Sequence, residues 1–133
     1  MQAQYESAAA LLEESIPDVD LMTQFRELIS PDPDAEPRLA KAILHVVAHP
    51  GSFIRARMAW NVGYATGLDE ESCGRAAIAV EYFHTASLIL DDLSCMDDAD
   101  MRRGGRCVHA LYGEAVAMLT ALAFINRAYS LIW

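Results

Sequence analysis

The chain has 133 residues, 53% of them hydrophobic, which suits one buried core and is too short for two ordinary domains. A formal net charge of -9 argues against a nucleic-acid backbone or an anionic membrane as the main partner. The ten basic residues are sparse, yet Arg55 and Arg57, and then Arg102, Arg103 and Arg106, form two tight groups, which keeps small anions open as ligands.

Residues 4–14 have helical periodicity, with Tyr5, Ala8, Leu11 and Leu12 on one stripe, and Pro17 ends the run. A second helical run carries Leu21, Phe25, Leu28 and Ile29. Residues 31–37, PDPDAEP, form a turn-rich linker that cannot be helical throughout. A short apolar helix over residues 40–47 stops at His49-Pro50-Gly51. Ser52 is the expected N-cap of the next helix, which starts near Phe53 and carries Arg55 and Arg57 in its first turns. That end of a helix suits an anion, through free N–H groups and the two guanidinium groups; two solvated arginines are the plainer alternative. Gly67 ends this helix, and Asp69, Glu70 and Glu71 open the next with favourable charge. It runs to about residue 92, roughly 36 Å, and is apolar nearly all round, so it belongs at the centre of the fold, where Glu81 and His84 need partners. Gly104-Gly105 breaks the chain before a last apolar helix from about residue 109 to the end. Strand alternation, internal repeats, a phosphate-binding glycine loop and a nucleophile motif are all missing from the sequence.

Cys73, Cys95 and Cys107 are odd in number and lack metal-ligand spacing. With no basic-then-apolar start to the chain they are read as free thiols of a reducing cytoplasm. Apolar runs long enough for a membrane span are interrupted, one by Glu81 and His84, the other by Asn126 and Arg127.

Residues 91–103 read DDLSCMDDADMRR and set Asp91, Asp92, Asp97, Asp98 and Asp100 at the C-terminal end of the central helix. The helix dipole is negative there, and the carboxylates repel one another. A cation relieves the conflict, and hard oxygen donors without nearby His or Cys point to Mg²⁺ holding a substrate phosphate. The plainer alternative is a solvated acidic loop. On a continued helix Asp98 shares the face of Asp91, while Asp97 joins it only where the helix loosens; His84 looks along the same face. An EF-hand is excluded, because Arg103 and His109 stand where that loop needs Gly and Glu.

The composite EYFHTASLILDDLSCMDDADMRRGG, followed by VHALYGEA, resembles the first aspartate-rich region of the trans-isoprenyl diphosphate synthases, or polyprenyl synthetases. The matching positions are His84, Ser87, Leu88, Asp91, Asp92, Asp97, Arg102, Arg103 and Gly104, then His109, Tyr112, Gly113 and Glu114. The resemblance implies an all-α antiparallel helix bundle, of which this chain is the N-terminal part: helices over residues 1–30, a linker over 31–37 and core helices over 38–133. It further implies a Mg²⁺-dependent, dimeric prenyltransferase that condenses an allylic diphosphate with isopentenyl diphosphate. Asp91, Asp92 and Asp97 would hold the metal, and Arg102 the allylic diphosphate. Arg103, His84 and Arg57 would contact isopentenyl diphosphate. Ala86 and Ser87 would floor the cavity, and small residues there resemble producers of geranylgeranyl-type or longer chains. Three departures stand out. Ile54 replaces the lysine of the family's anion-binding GGKxxR. Ala121-Leu122 replaces a Gly-Asp pair. The second aspartate-rich motif is missing, so the chain alone is expected to be inactive. The rival expectation is a non-catalytic helical subunit or degenerate relative.

Overall fold

The computed structural model describes residues 21–133; the helix expected over residues 4–14 and its Pro17 stop lie outside the described residues. Among the described residues there are six helices and one two-stranded ladder. They are α1 (Leu21–Glu27), α2 (Pro37–Ala48), α3 (Ile54–Ala65), α4 (Glu70–Asp91), α5 (Val108–Tyr112) and α6 (Glu114–Ile132), with β1 (Met101–Arg102) and β2 (Gly105–Arg106) between α4 and α5. The fold is all-α, as expected.

Helix α4 is the centre. It packs mainly against α6 on one side and α3 on the other, while α2 rests on α6 and α1 on α4. Asp69 caps it by accepting the Ser72 N–H at 2.9 Å, and Glu70 and Glu71 add favourable charge to the first turn. Its buried face is mostly small or apolar, from Cys73 and Gly74 to Ala86 and Ile89. Phe25 joins the layers: its ring lies 5.3 Å from Phe53, 5.0 Å from Tyr82 and 6.1 Å from Phe124. The Tyr82 hydroxyl donates to the Phe25 carbonyl at 2.7 Å, which satisfies a buried polar group within the aromatic cluster.

Four arginines serve the ends of helices. Arg26 donates to the Val47 carbonyl, Arg38 to Tyr112, Arg75 to Leu131 and Arg127 to Leu28. Each guanidinium meets carbonyls that a helix terminus leaves without an internal partner, at the negative end of the dipole.

Several sequence expectations are corrected. Ser52 is not the cap of α3. Phe53 occupies that place in a left-handed conformation (φ 56°) with no side-chain capping bond. Such a backbone costs a β-carbon residue roughly 1–2 kcal/mol, and burial of the Phe53 ring against Phe25 offsets it. A strand pair exists where none was expected: Met101 pairs with Arg106 and Arg102 with Gly105. Arg103 (φ 51°) and Gly104 (φ 79°) form its two-residue turn, both left-handed as the twist of a tight hairpin demands. Strands of two residues are too short to leave an alternation in sequence. The last helix is two helices, broken at Gly113 (φ 88°). Helix α6 is also long and apolar enough to span a membrane by length and composition, with mean hydropathy 1.5, so Asn126 and Arg127 do not interrupt it. Ala117, Thr120, Ala121, Phe124, Ala128 and Leu131 on one face are buried in the protein core.

Candidate active site

The acidic loop folds back onto the end of α4. The Asp97 N–H donates to the Asp91 carbonyl at 2.8 Å, Ala99 to Asp92 at 3.2 Å and Asp98 to Leu93 at 3.1 Å. These bonds use carbonyls at the helix end, and reaches of five to seven residues replace the helical four. The backbone therefore loosens where sequence spacing required it to, and Asp97 is brought beside Asp91. Asp98 sits at φ 50° and is exposed, as Asp97 is.

Asp91 is half-buried and Asp97 exposed, whereas Asp92 is almost fully buried. The Asp92 carboxylate is engaged: one oxygen accepts from Arg102 Nε at 2.7 Å and from the same guanidinium's terminal nitrogen at 2.6 Å. That bond holds Arg102 above its usual pKa. The Cys107 thiol beside Asp92 is pushed up to about 11, by burial first and the carboxylate second. Among the described residues no three His, Cys, Asp or Glu side chains form a ready metal cage. Mg²⁺ does not need one. It is commonly held by one or two carboxylates together with water and substrate phosphate, and the all-oxygen donors Asp91 and Asp97 fit that role.

On the neighbouring face, Arg55 bonds His84, and Arg103 and Arg102 lie close enough to act on its charge. The imidazole Nε2 lies 3.2 Å from the Arg55 guanidinium, whose N–H donates to it. Burial, then Arg55, Arg103 and Arg102, hold His84 below its ordinary pKa, so it is a neutral acceptor. Arg103 approaches Glu81 at 3.8 Å and lies so closely over Gly51 that an added Cβ would stand 2.5 Å from its guanidinium. The hairpin is seated on α2: His45 Nε2 meets the Arg106 carbonyl at 2.8 Å, and Gly105 packs against the His49 ring. Beneath the hairpin is a cavity of about 50 Å³, lined by Thr85, Asp92, Arg102, Arg103 and Cys107 among others. It has room for a few waters.

Not every sequence candidate joins this cluster. The Arg57 side chain is exposed and has no ion pair among the described residues. Arg55, two residues earlier and so on another face of α3, meets His84 instead. Ile54, at the family's lysine position, is exposed and brings no charge. Ala86 is buried in the core, whereas Ser87 is exposed and donates to the His84 carbonyl at 2.8 Å. Sequence reading missed His45 and His49, whose signal was their four-residue spacing on one helix face, and left Glu81 without an assigned partner.

The chain is thus an all-α fold with an acidic loop and arginines at one end of its central helix. The polyprenyl synthetase family model matches residues 36–133, and the chain belongs to that family. It is 38% identical over 100 residues to a geranylgeranyl diphosphate synthase of Cereibacter sphaeroides, a match covering 74% of this chain and 35% of that protein. Another geranylgeranyl diphosphate synthase, from Pantoea ananas, is 55% identical over 56 residues, 42% of this chain and 18% of the relative. The fold superimposes on a geranyltranstransferase of Thermotoga maritima with a TM-score of 0.77 at 36% identity, over 86% of this chain and 43% of that one. The match thus spans less than half the length of each of these three relatives.

Proposed function

We propose that this chain forms the first diphosphate-binding half of a Mg²⁺-dependent prenyltransferase that joins an allylic diphosphate to isopentenyl diphosphate. One observation carries the reading. The Arg55 guanidinium donates to a neutral His84, on whose charge Arg103 and Arg102 also act, beside a loop whose Asp97 N–H bonds the Asp91 carbonyl. Bound at Asp91 and Asp97, Mg²⁺ would stabilise negative charge as the diphosphate departs. Asp92 joins them once Arg102 exchanges it for a phosphate oxygen. Arg102 donates to the allylic diphosphate and Arg103 to that of isopentenyl diphosphate, while His84 orients Arg55 by accepting its N–H. The apolar flank of α4 keeps water from the reacting carbons. Ser87, exposed on that helix, is the chain-length position that can line a cavity, and its small size supports a geranylgeranyl-type or longer product. Ala86, held in the core, supports the wall from behind. The relatives run far beyond the matched part, so turnover is proposed for the complete catalytic unit. Free thiols at Cys73, Cys95 and Cys107 support a cytoplasmic setting, and the outer apolar face of α6 supports a homodimer.

The test is turnover by that complete unit with labelled isopentenyl diphosphate and geranyl or farnesyl diphosphate. Diphosphate release and chain elongation that stop on Mg²⁺ removal are expected. Elongation unaffected by chelation, or none with any allylic diphosphate, contradicts the proposal.

A further inference from the structure

Glu81 has no part in the reading above, and its placement is unusual. It lies inside the central helix, 2% exposed, where a carboxylate is costly unless partners reach it. Three do. Arg103 approaches at 3.8 Å, Arg55 lies close enough to act on its charge, and the Ala56 N–H in the first turn of α3 points to it. The anion expected at the start of α3 is therefore supplied by the protein itself.

Resting on the diphosphate reading, we propose that Glu81 is a positioning residue that fixes Arg103 and Arg55 for the diphosphate of the non-allylic substrate. Arg103 is located by three constraints: the left-handed turn, the floor at Gly51 and the Glu81 carboxylate. A guanidinium has five N–H donors, and one contact at 3.8 Å leaves most of them for a ligand. Burial raises the Glu81 pKa and lowers that of Arg103, in each case as the largest cause, so the pair costs the fold more than it returns. A contact held at a cost beside an anion site serves the site.

The experiment is calorimetric titration of the 133-residue chain with isopentenyl diphosphate and with inorganic pyrophosphate, comparing wild type, Glu81→Gln, Glu81→Asp and Gly51→Ala. Gly51→Ala displaces the flexible end of Arg103 without altering charge. Melting temperature is followed in parallel. Glu81→Gln and Gly51→Ala are expected to bind about tenfold more weakly or worse, with the Glu81→Gln melting temperature no lower than wild type and partial rescue of binding in Glu81→Asp. Equal binding by wild type and both variants overturns the positioning role alone. Absence of binding by the wild-type chain overturns the diphosphate reading and this role with it. If Glu81→Gln fails to fold, Gly51→Ala decides.

Discussion

Charge at His84 and Glu81 is set by burial more than by pairing. His84 is kept below the ordinary histidine pKa by desolvation and three arginines, so the folded chain binds its proton more weakly than the unfolded chain does. The stability it contributes is present above about pH 6.5 and is lost as pH falls through the lower folded value. An anion placed among those arginines offsets them and draws the His84 pKa up, so binding takes up protons. Histidine resonances followed by NMR should show His84 titrating below pH 6.5 in the free chain and higher with pyrophosphate; an unshifted free-chain value contradicts this account. Glu81 has the opposite sign. Its folded pKa is raised, so its contribution is present below about pH 4.5 and lost as pH rises through the folded value. Its partner preference was legible in sequence only as a need, since the chain places Arg103 beside it through a turn whose form depends on left-handed backbone.

At the scale of elements, α1 is tied to the core through Phe25, which packs among Phe53, Tyr82 and Phe124. Phe25→Ala should lower unfolding free energy by about 3–5 kcal/mol in urea titration; a loss below about 1 kcal/mol contradicts its central place. The helices were readable because their signals are local: apolar periodicity in α4, Asp69 at its cap, Pro37 and His49-Pro50 bounding α2. The hairpin and the start of α3 were not. Phe53, Asp98 and Arg103, the three non-glycine residues at positive φ among those described, all border the site. Left-handed backbone away from glycine is fixed by packing, which local sequence does not display, and such strain gathers where function constrains the chain. Arg55 was legible as a cation at the right helix end, but its contact with His84 depends on the helix face it occupies.

Over the whole molecule, seven of the ten basic residues divide by task. Arg26, Arg38, Arg75 and Arg127 satisfy carbonyls at helix ends, while Arg55, Arg102 and Arg103 act on the charge of His84 in a chain whose net charge is -9. Helix α6 buries one face and leaves Met118, Leu119, Leu122, Tyr129 and Ile132 exposed on the other. A contiguous apolar face of that kind favours association. Sedimentation of the chain should show concentration-dependent self-association, and a monomer at all concentrations contradicts it. The all-α class, the acidic loop and the family were legible because they rest on composition and on one long motif. What the sequence left open was the pairing of Asp92 with Arg102, which joins groups ten residues apart through the hairpin. The most direct test compares Asp91→Ala with Asp98→Ala in diphosphate release by the complete catalytic unit. The account predicts that Asp91→Ala loses about 100-fold or more and that Asp98→Ala, whose backbone bonds Leu93 rather than Asp91, stays near wild type. Near-normal release from Asp91→Ala would contradict it.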